Sequence, residues 1–208
     1  MLKSEIDHLV ISAPTKARGI QYVADLLGVT PTGGGFHPKM GTHNALLRLG
    51  EETYLEVIAI DPDARDPERP RWFGLDHLAV DSEPQLVTWV CRTSDIETAT
   101  QNTPFAAGSI TEMSRGNLHW LISLPDDGSL IWEGIAPNLI QWSDQPPVTS
   151  MPVSSCELKS LELNHPQAIR LNNWLQEVEF DSPCLTVSDA APISIKAKIQ
   201  TPRGLCSL

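Results

Sequence analysis

Glu56 is a carboxylate in an apolar run, set between Leu55 and Val57 in TYLEVIAI. Such a group must be hydrogen-bonded, paired or metal-bound, unless its strand faces water on that side. Two histidines share its stretch, residues 33–62: His37 in GGGFHP and His43 in THNALLRL. A third, His8, stands between apolar neighbours in IDHLVIS. Imidazole nitrogen and carboxylate oxygen suit Zn, Fe, Mn or Ni, and the same groups can move protons. Other chemistries lack their residues. The chain has no Walker loop, no GxGxxG after a strand and no GxSxG elbow. Its glycine cluster, Gly33 to Gly35, precedes a strand and so lacks a helix N-terminus to cradle phosphate.

The elements that must position these groups follow from periodicity. IDHLVIS alternates as a strand, placing Ile6, His8, Val10 and Ser12 on one face and Asp7, Leu9 and Ile11 on the other. A helix follows, with Thr15 as N-cap, Gly28 just past its end and an apolar stripe of Ile20, Val23, Ala24 and Leu27. THNALLRL and TYLEVIAI read as two strands joined by a tight turn at Gly50, Glu51 and Glu52. Residues 61–76, proline-rich and charged, form a connector long enough to cover a site. The same order then recurs: LVTWVCRT as a strand, a capping box at Ser94 to Glu97, and strands in NLHWLISLP and LIWEGIAPNLIQW. A β-α-β-β-β unit used twice is the economical reading. After a proline-rich linker comes a partial third unit: ELKSLEL, a helix beginning at HPQ, alternating ISIKAKIQ and a closing strand.

The chain has 208 residues, enough to bury a substantial core, and a net charge of −11. That charge argues against nucleic-acid or anionic-membrane partners. Cys91, Cys156, Cys184 and Cys206 stand far apart and read as reduced thiols of a cytoplasmic protein. The N-terminus enters a strand within a few residues, without the pattern of a signal peptide. No apolar run approaches the roughly 18 residues of a membrane helix.

IDHLVIS, a helix ending in LLGV, GGGFHPKMGTHNALLRLG and YLEVIAIDP together resemble the glyoxalase-like domain family. MSRG, LIQW and the closing TPRG look like later parts of the same pattern. The family belongs to the vicinal oxygen chelate superfamily, with glyoxalase I, extradiol dioxygenases and bleomycin-resistance proteins. The resemblance implies an α+β fold in which two β-α-β-β-β modules, about 1–62 and 84–144 within residues 1–150, curl a mixed sheet around one pocket. Residues 151–208 add a β-α-β-β unit packed on the same domain.

It further implies a divalent metal, Zn, Fe, Mn or Ni, held by a first-strand histidine and a last-strand carboxylate. His8 and Glu56 occupy those positions. In the second module Trp89 aligns with His8, and Gln141 or Ile140 with Glu56, so that half of the ligand set is missing. His43 can complete a set of His8, His43 and Glu56, with His43 and Glu56 as proton carriers. Only one of His43 and Asn44 can face the pocket, because adjacent strand residues point apart; His43 is the expected one. His37, Asn44, Arg115, His119 and Gln141 are the candidates to contact substrate. Two functions remain open. One is a metal-dependent isomerase, lyase or dioxygenase acting on a small oxygenated metabolite. The other is a metal-free binding protein of the bleomycin-resistance type. The resemblance allows a homodimer in either case.

Overall fold

The structure, a computed structural model, describes residues 2–208. The first module runs β1 (Ser4–Ser12), α1 (Lys16–Leu27), β2 (Phe36–His37), β3 (Thr42–Arg48) and β4 (Tyr54–Ile60). The second repeats the order: β5 (Gln85–Thr93), α2 (Ile96–Gln101), β6 (Ser109–Arg115), β7 (Leu118–Leu124) and β8 (Asn138–Trp142). Together they form one eight-stranded mixed sheet in the order β2-β3-β4-β1-β5-β8-β7-β6. β1 and β5 lie antiparallel at its centre, and each pairs in parallel with the last strand of its own module. The sheet curls until its edges nearly meet. Lys39 Nζ donates to the Glu112 carbonyl at 2.9 Å across that seam.

Local signals set the helices. Thr15 accepts a hydrogen bond from the Arg18 N–H, and Gly28 ends α1 at φ 73°, where a side chain would be strained. In the second module the cap is Asp95, one residue after the expected Ser94; its side chain accepts from the Thr98 N–H at 3.0 Å. The expected α1 stripe is buried at Val23 and Leu27, while Ile20 and Ala24 are half-buried and Gly19 completes the buried face. Val23 and Leu27 are fully buried against Leu9, Leu55 and Val57 on the convex face of the sheet.

The C-terminal unit is a second sheet, β10-β9-β11-β12, carrying α3 (Ala168–Glu177). It consists of β9 (Glu157–Asn164), β10 (Leu185–Ser188), β11 (Ser194–Thr201) and β12 (Gly204–Ser207). β10 is one strand more than expected. It pairs in parallel with β9, a long-range partner that its four residues do not advertise. This unit shares the convex core: Leu161, Leu171 and Trp174 pack with Leu9 and Trp89, and Trp174 Nε1 donates to the Ala99 carbonyl. No helix among the described residues is long and apolar enough to cross a membrane.

Candidate functional site

The concave face holds a buried chain of polar groups, and it begins at an irregularity. β1 pairs Ile6 with Cys91 and His8 with Val90, leaving Asp7 without a partner. This bulge breaks strict alternation. Asp7 and His8 therefore reach each other, and the His8 Nδ1 lies 2.7 Å from Asp7 Oδ1. The other Asp7 oxygen accepts from Trp142 Nε1 at 2.9 Å and lies 3.6 Å from Arg92 Nη1. The His8 ring stacks on Tyr54, centroids 4.6 Å apart, and its Nε2 stands 3.4 Å from Glu56 Oε2.

Register decides which neighbour joins Glu56. β3 opposes Leu46 to Glu56 and Asn44 to Ile58, so Asn44 and Glu56 share the concave face. The Asn44 amide donates to Glu56 Oε1 at 2.5 Å. His43 is the correction. It opposes Ala59 on the other face, beside Asp61 at 3.8 Å and Phe36 at 6.2 Å. Asn44 Oδ1 in turn accepts from the Gly35 N–H at 2.8 Å and from Arg115 Nη1 at 3.1 Å. Gly34 makes this approach feasible, since a Cβ there would stand 2.3 Å from the Asn44 carbonyl oxygen. His37 completes the cluster. Its Nδ1 is 3.1 Å from Thr42 Oγ1, and its Nε2 is 3.4 Å from the Asn44 amide.

His8, His37, Asn44, Glu56 and Arg115 thus line one cavity, as expected for a pocket at this place. Two of the expected substrate contacts do not. His119 is exposed, because the inward residue of β7 is Trp120. Gln141 turns to the helix side and accepts from the Ile96 N–H at 2.8 Å, leaving Ile140 in the cavity wall. Trp89 likewise faces the convex core, with its Nε1 donating to the Ile135 carbonyl, and Val90 opposes His8. The second module therefore supplies Trp120, Ile122, Ile140 and Trp142, a largely apolar wall. Asp7, Tyr54, Trp72 and Phe73 are site residues that sequence reasoning missed. A bulge hid Asp7, whereas Trp72 and Phe73 belong to the connector already read as a covering segment.

The charges are set by this enclosure. Burial opposes a charge on His8, but the Asp7 hydrogen bond and Glu56 more than offset it and raise its pKa to about 9. Burial opposes the Glu56 charge as well and would raise its pKa; His8, His37 and the Asn44 amide instead bring it down to about 2. Burial also holds His37 neutral, with its pKa lowered to about 4. At neutral pH the site is an imidazolium facing a carboxylate.

The donor set does not fit a chelated divalent metal. Among the described residues no three His, Cys, Asp or Glu side chains are arranged to hold an ion. His8 and Glu56 face each other, His43 is on the far side, and the second module offers hydrocarbon where further ligands would stand.

The cavity has a volume of about 30 Å³, room for about one water. Arg115 also lines a much larger groove of about 870 Å³ outside it. That groove runs between the Gly33 to Gly35 loop, the turn after β6 and residues 147–155. Arg115 is the residue through which the two spaces adjoin.

A profile described as glyoxalase-like domain matches residues 6–179. The sequence matches no curated protein. Among solved structures, a hypothetical protein from Staphylococcus aureus is 15% identical with a TM-score of 0.57, covering 96% of this chain and 82% of its own. Methylmalonyl-CoA epimerase from Mycobacterium tuberculosis is also 15% identical, with a TM-score of 0.44, covering 70% of this chain and 91% of its own. At 15% identity the likeness to the Staphylococcus aureus protein is one of fold alone.

Proposed function

The chain belongs to the glyoxalase-like domain family, and we propose that it is an enzyme moving a proton on a small, carboxylate-bearing oxygenated molecule. The observation that carries this reading is the His8–Glu56 pair. Two buried groups in opposite protonation states share a cavity next to an arginine. Burying such charges is costly, and apolar side chains of similar size would stabilise the fold as well or better. A role in chemistry explains why they are there.

In this reading Arg115 holds the substrate carboxylate at the mouth. Glu56 takes a proton from the carbon next to a carbonyl. The C–H pair moves onto the carbonyl oxygen, which His8 Nε2–H stabilises by a hydrogen bond or by donating its proton. Asp7 accepts from Nδ1–H and fixes the ring so that Nε2 faces the reaction. The 3.4 Å separation of Nε2 and Oε2 is long for a hydrogen bond, so the imidazolium is free to turn its proton to a substrate oxygen. Losing that contact makes Glu56 a stronger base as the substrate binds. Trp120, Trp142 and Ile140 keep bulk water out.

The test is exchange of the C3 protons of 2-oxobutyrate in D2O, followed by NMR. Wild-type protein accelerates exchange and Glu56→Gln does not. Equal rates for the two end the proton-transfer reading. The second reading, a metal-free binding protein, is favoured by the small cavity, which leaves most of any ligand in the outer groove. It requires binding without exchange, unchanged in Glu56→Gln.

A further inference from the structure

The groove beyond Arg115 carries charge of one sign. Its charged lining residues are Arg48 and Arg115, and no aspartate or glutamate lines it, in a chain of net charge −11. Arg48 is spent on backbone, donating to the Gly50, Glu51 and Met151 carbonyls. Arg115 makes one hydrogen bond, to Asn44, and no carboxylate among the described residues pairs with it. Its remaining donors suit an anion.

The groove is open and largely apolar, with Thr30, Thr32, Ser150, Ser154 and Ser155 also in its lining. Phe36 and Val153 line it at 60% and 84% exposure, among the most exposed large hydrophobic side chains of the molecule. Leu118 and Met151 extend the same surface. Its volume of about 870 Å³ is that of a ligand site. The cavity beyond Arg115, at about 30 Å³, admits only the end of a molecule.

We infer that the ligand is an elongated amphipathic carboxylate, its head on Arg115 and its alkyl chain along Phe36, Leu118, Met151 and Val153. This names the substrate class of the proposed reaction and so rests on that reading for its chemistry, though not for its binding. Tail contacts with the groove are made before and during reaction alike, so they set affinity and chain-length preference.

The experiment is calorimetric titration with hexanoate, decanoate and decyltrimethylammonium. Decanoate binds about tenfold or more tighter than hexanoate, because four further methylenes leave water. Decyltrimethylammonium, with the same tail and the opposite charge, does not bind. Arg115→Gln weakens decanoate by about tenfold or more. Val153→Ser, a change at an exposed lip that shortens the apolar surface without adding charge, weakens decanoate more than hexanoate. Equal affinity for the two acids, binding of the cation, or indifference to both substitutions overturns the inference. Glu56→Gln separates it from the proton-transfer reading. Decanoate binding persists in that variant, so chain-length-dependent binding without proton exchange leaves this inference standing while the reaction falls.

Discussion

Arg115 and Asn44 lie 71 positions apart, and the arginine Nη1 donates to the asparagine Oδ1 at 3.1 Å across the seam of the curled sheet. The same asparagine donates to Glu56 at 2.5 Å. One amide thus joins Arg115, which lines the outer groove, to the buried carboxylate, with one module supplying the arginine and the other the rest. A ligand on Arg115, as proposed, would share a hydrogen-bond chain with Glu56 through this one side chain.

Replacing Asn44 by Ala removes a donor that helps keep the Glu56 pKa low. The Glu56 pKa is expected to rise above about 2 in Asn44→Ala, as read by carbon NMR of labelled glutamate. The fold loses about 1–3 kcal/mol for an under-satisfied buried group. An unchanged titration means that the histidines, not Asn44, set the charge.

Stability falls on both sides of neutrality, for different groups. The His8 pKa is raised from 6.5 to about 9, so its contribution is complete below pH 6.5 and is lost as pH climbs through 9. Glu56 is lowered from 4.5 to about 2, so its contribution holds above pH 4.5 and is lost as pH falls through 2. His37, lowered to about 4, adds to the acid loss, since unfolding lets it take up a proton between pH 6.5 and 4. Denaturant melts from pH 2 to 10 check this, and His8→Gln is expected to flatten the alkaline limb. An alkaline limb that survives the substitution assigns it elsewhere.

Metal ions are expected to leave the melting temperature unchanged. Among the described residues only His8 and Glu56 face the cavity as charged side chains in mutual contact, and a chelate needs more. Thermal melts with 1 mM Zn, Mn, Ni or ferrous iron provide the measurement. A saturable rise that disappears in His8→Ala would restore a metal centre, because binding to the folded state alone stabilises it.

Gly19 is a packing glycine. Alanine is favoured over glycine in a helix by about 1 kcal/mol. At this site a Cβ would stand 2.4 Å from Val57 Cγ1 and 2.8 Å from Ala13 Cβ. The clash wins, and Gly19→Ala is expected to cost a net 1–3 kcal/mol or so. Stabilisation would mean that α1 shifts readily on the sheet.

Cutting the chain after Ser150 strips Leu161, Leu171 and Trp174 from the core around Leu9 and Trp89. The shortened protein is expected to aggregate or to lose its sharp melting transition. A soluble, cooperatively melting fragment of residues 1–150 would make the C-terminal unit an independent addition.

Local patterns made the module order legible. Thr15 and Gly28 bracket α1 through bonds within one turn of their own positions, and the alternation of β3 and β4 needs only nearest neighbours. Glu56 stood out because a carboxylate in an apolar run is costly unless satisfied. Its partners were another matter. Strand alternation says that His43 and Asn44 point apart, but only pairing register says which points inward, and a one-residue slip reverses the answer. The bulge at Asp7 depends on Val90 and Cys91 of β5, more than eighty positions later, so strict parity sent Asp7 to the wrong face. Arg115 reaches Asn44 only because the sheet curls closed, and β10 forms only because β9 offers it an edge. Sequence alone established which groups need satisfying; the tertiary structure decided which groups satisfy them, because register and closure are settled between segments far apart in the chain.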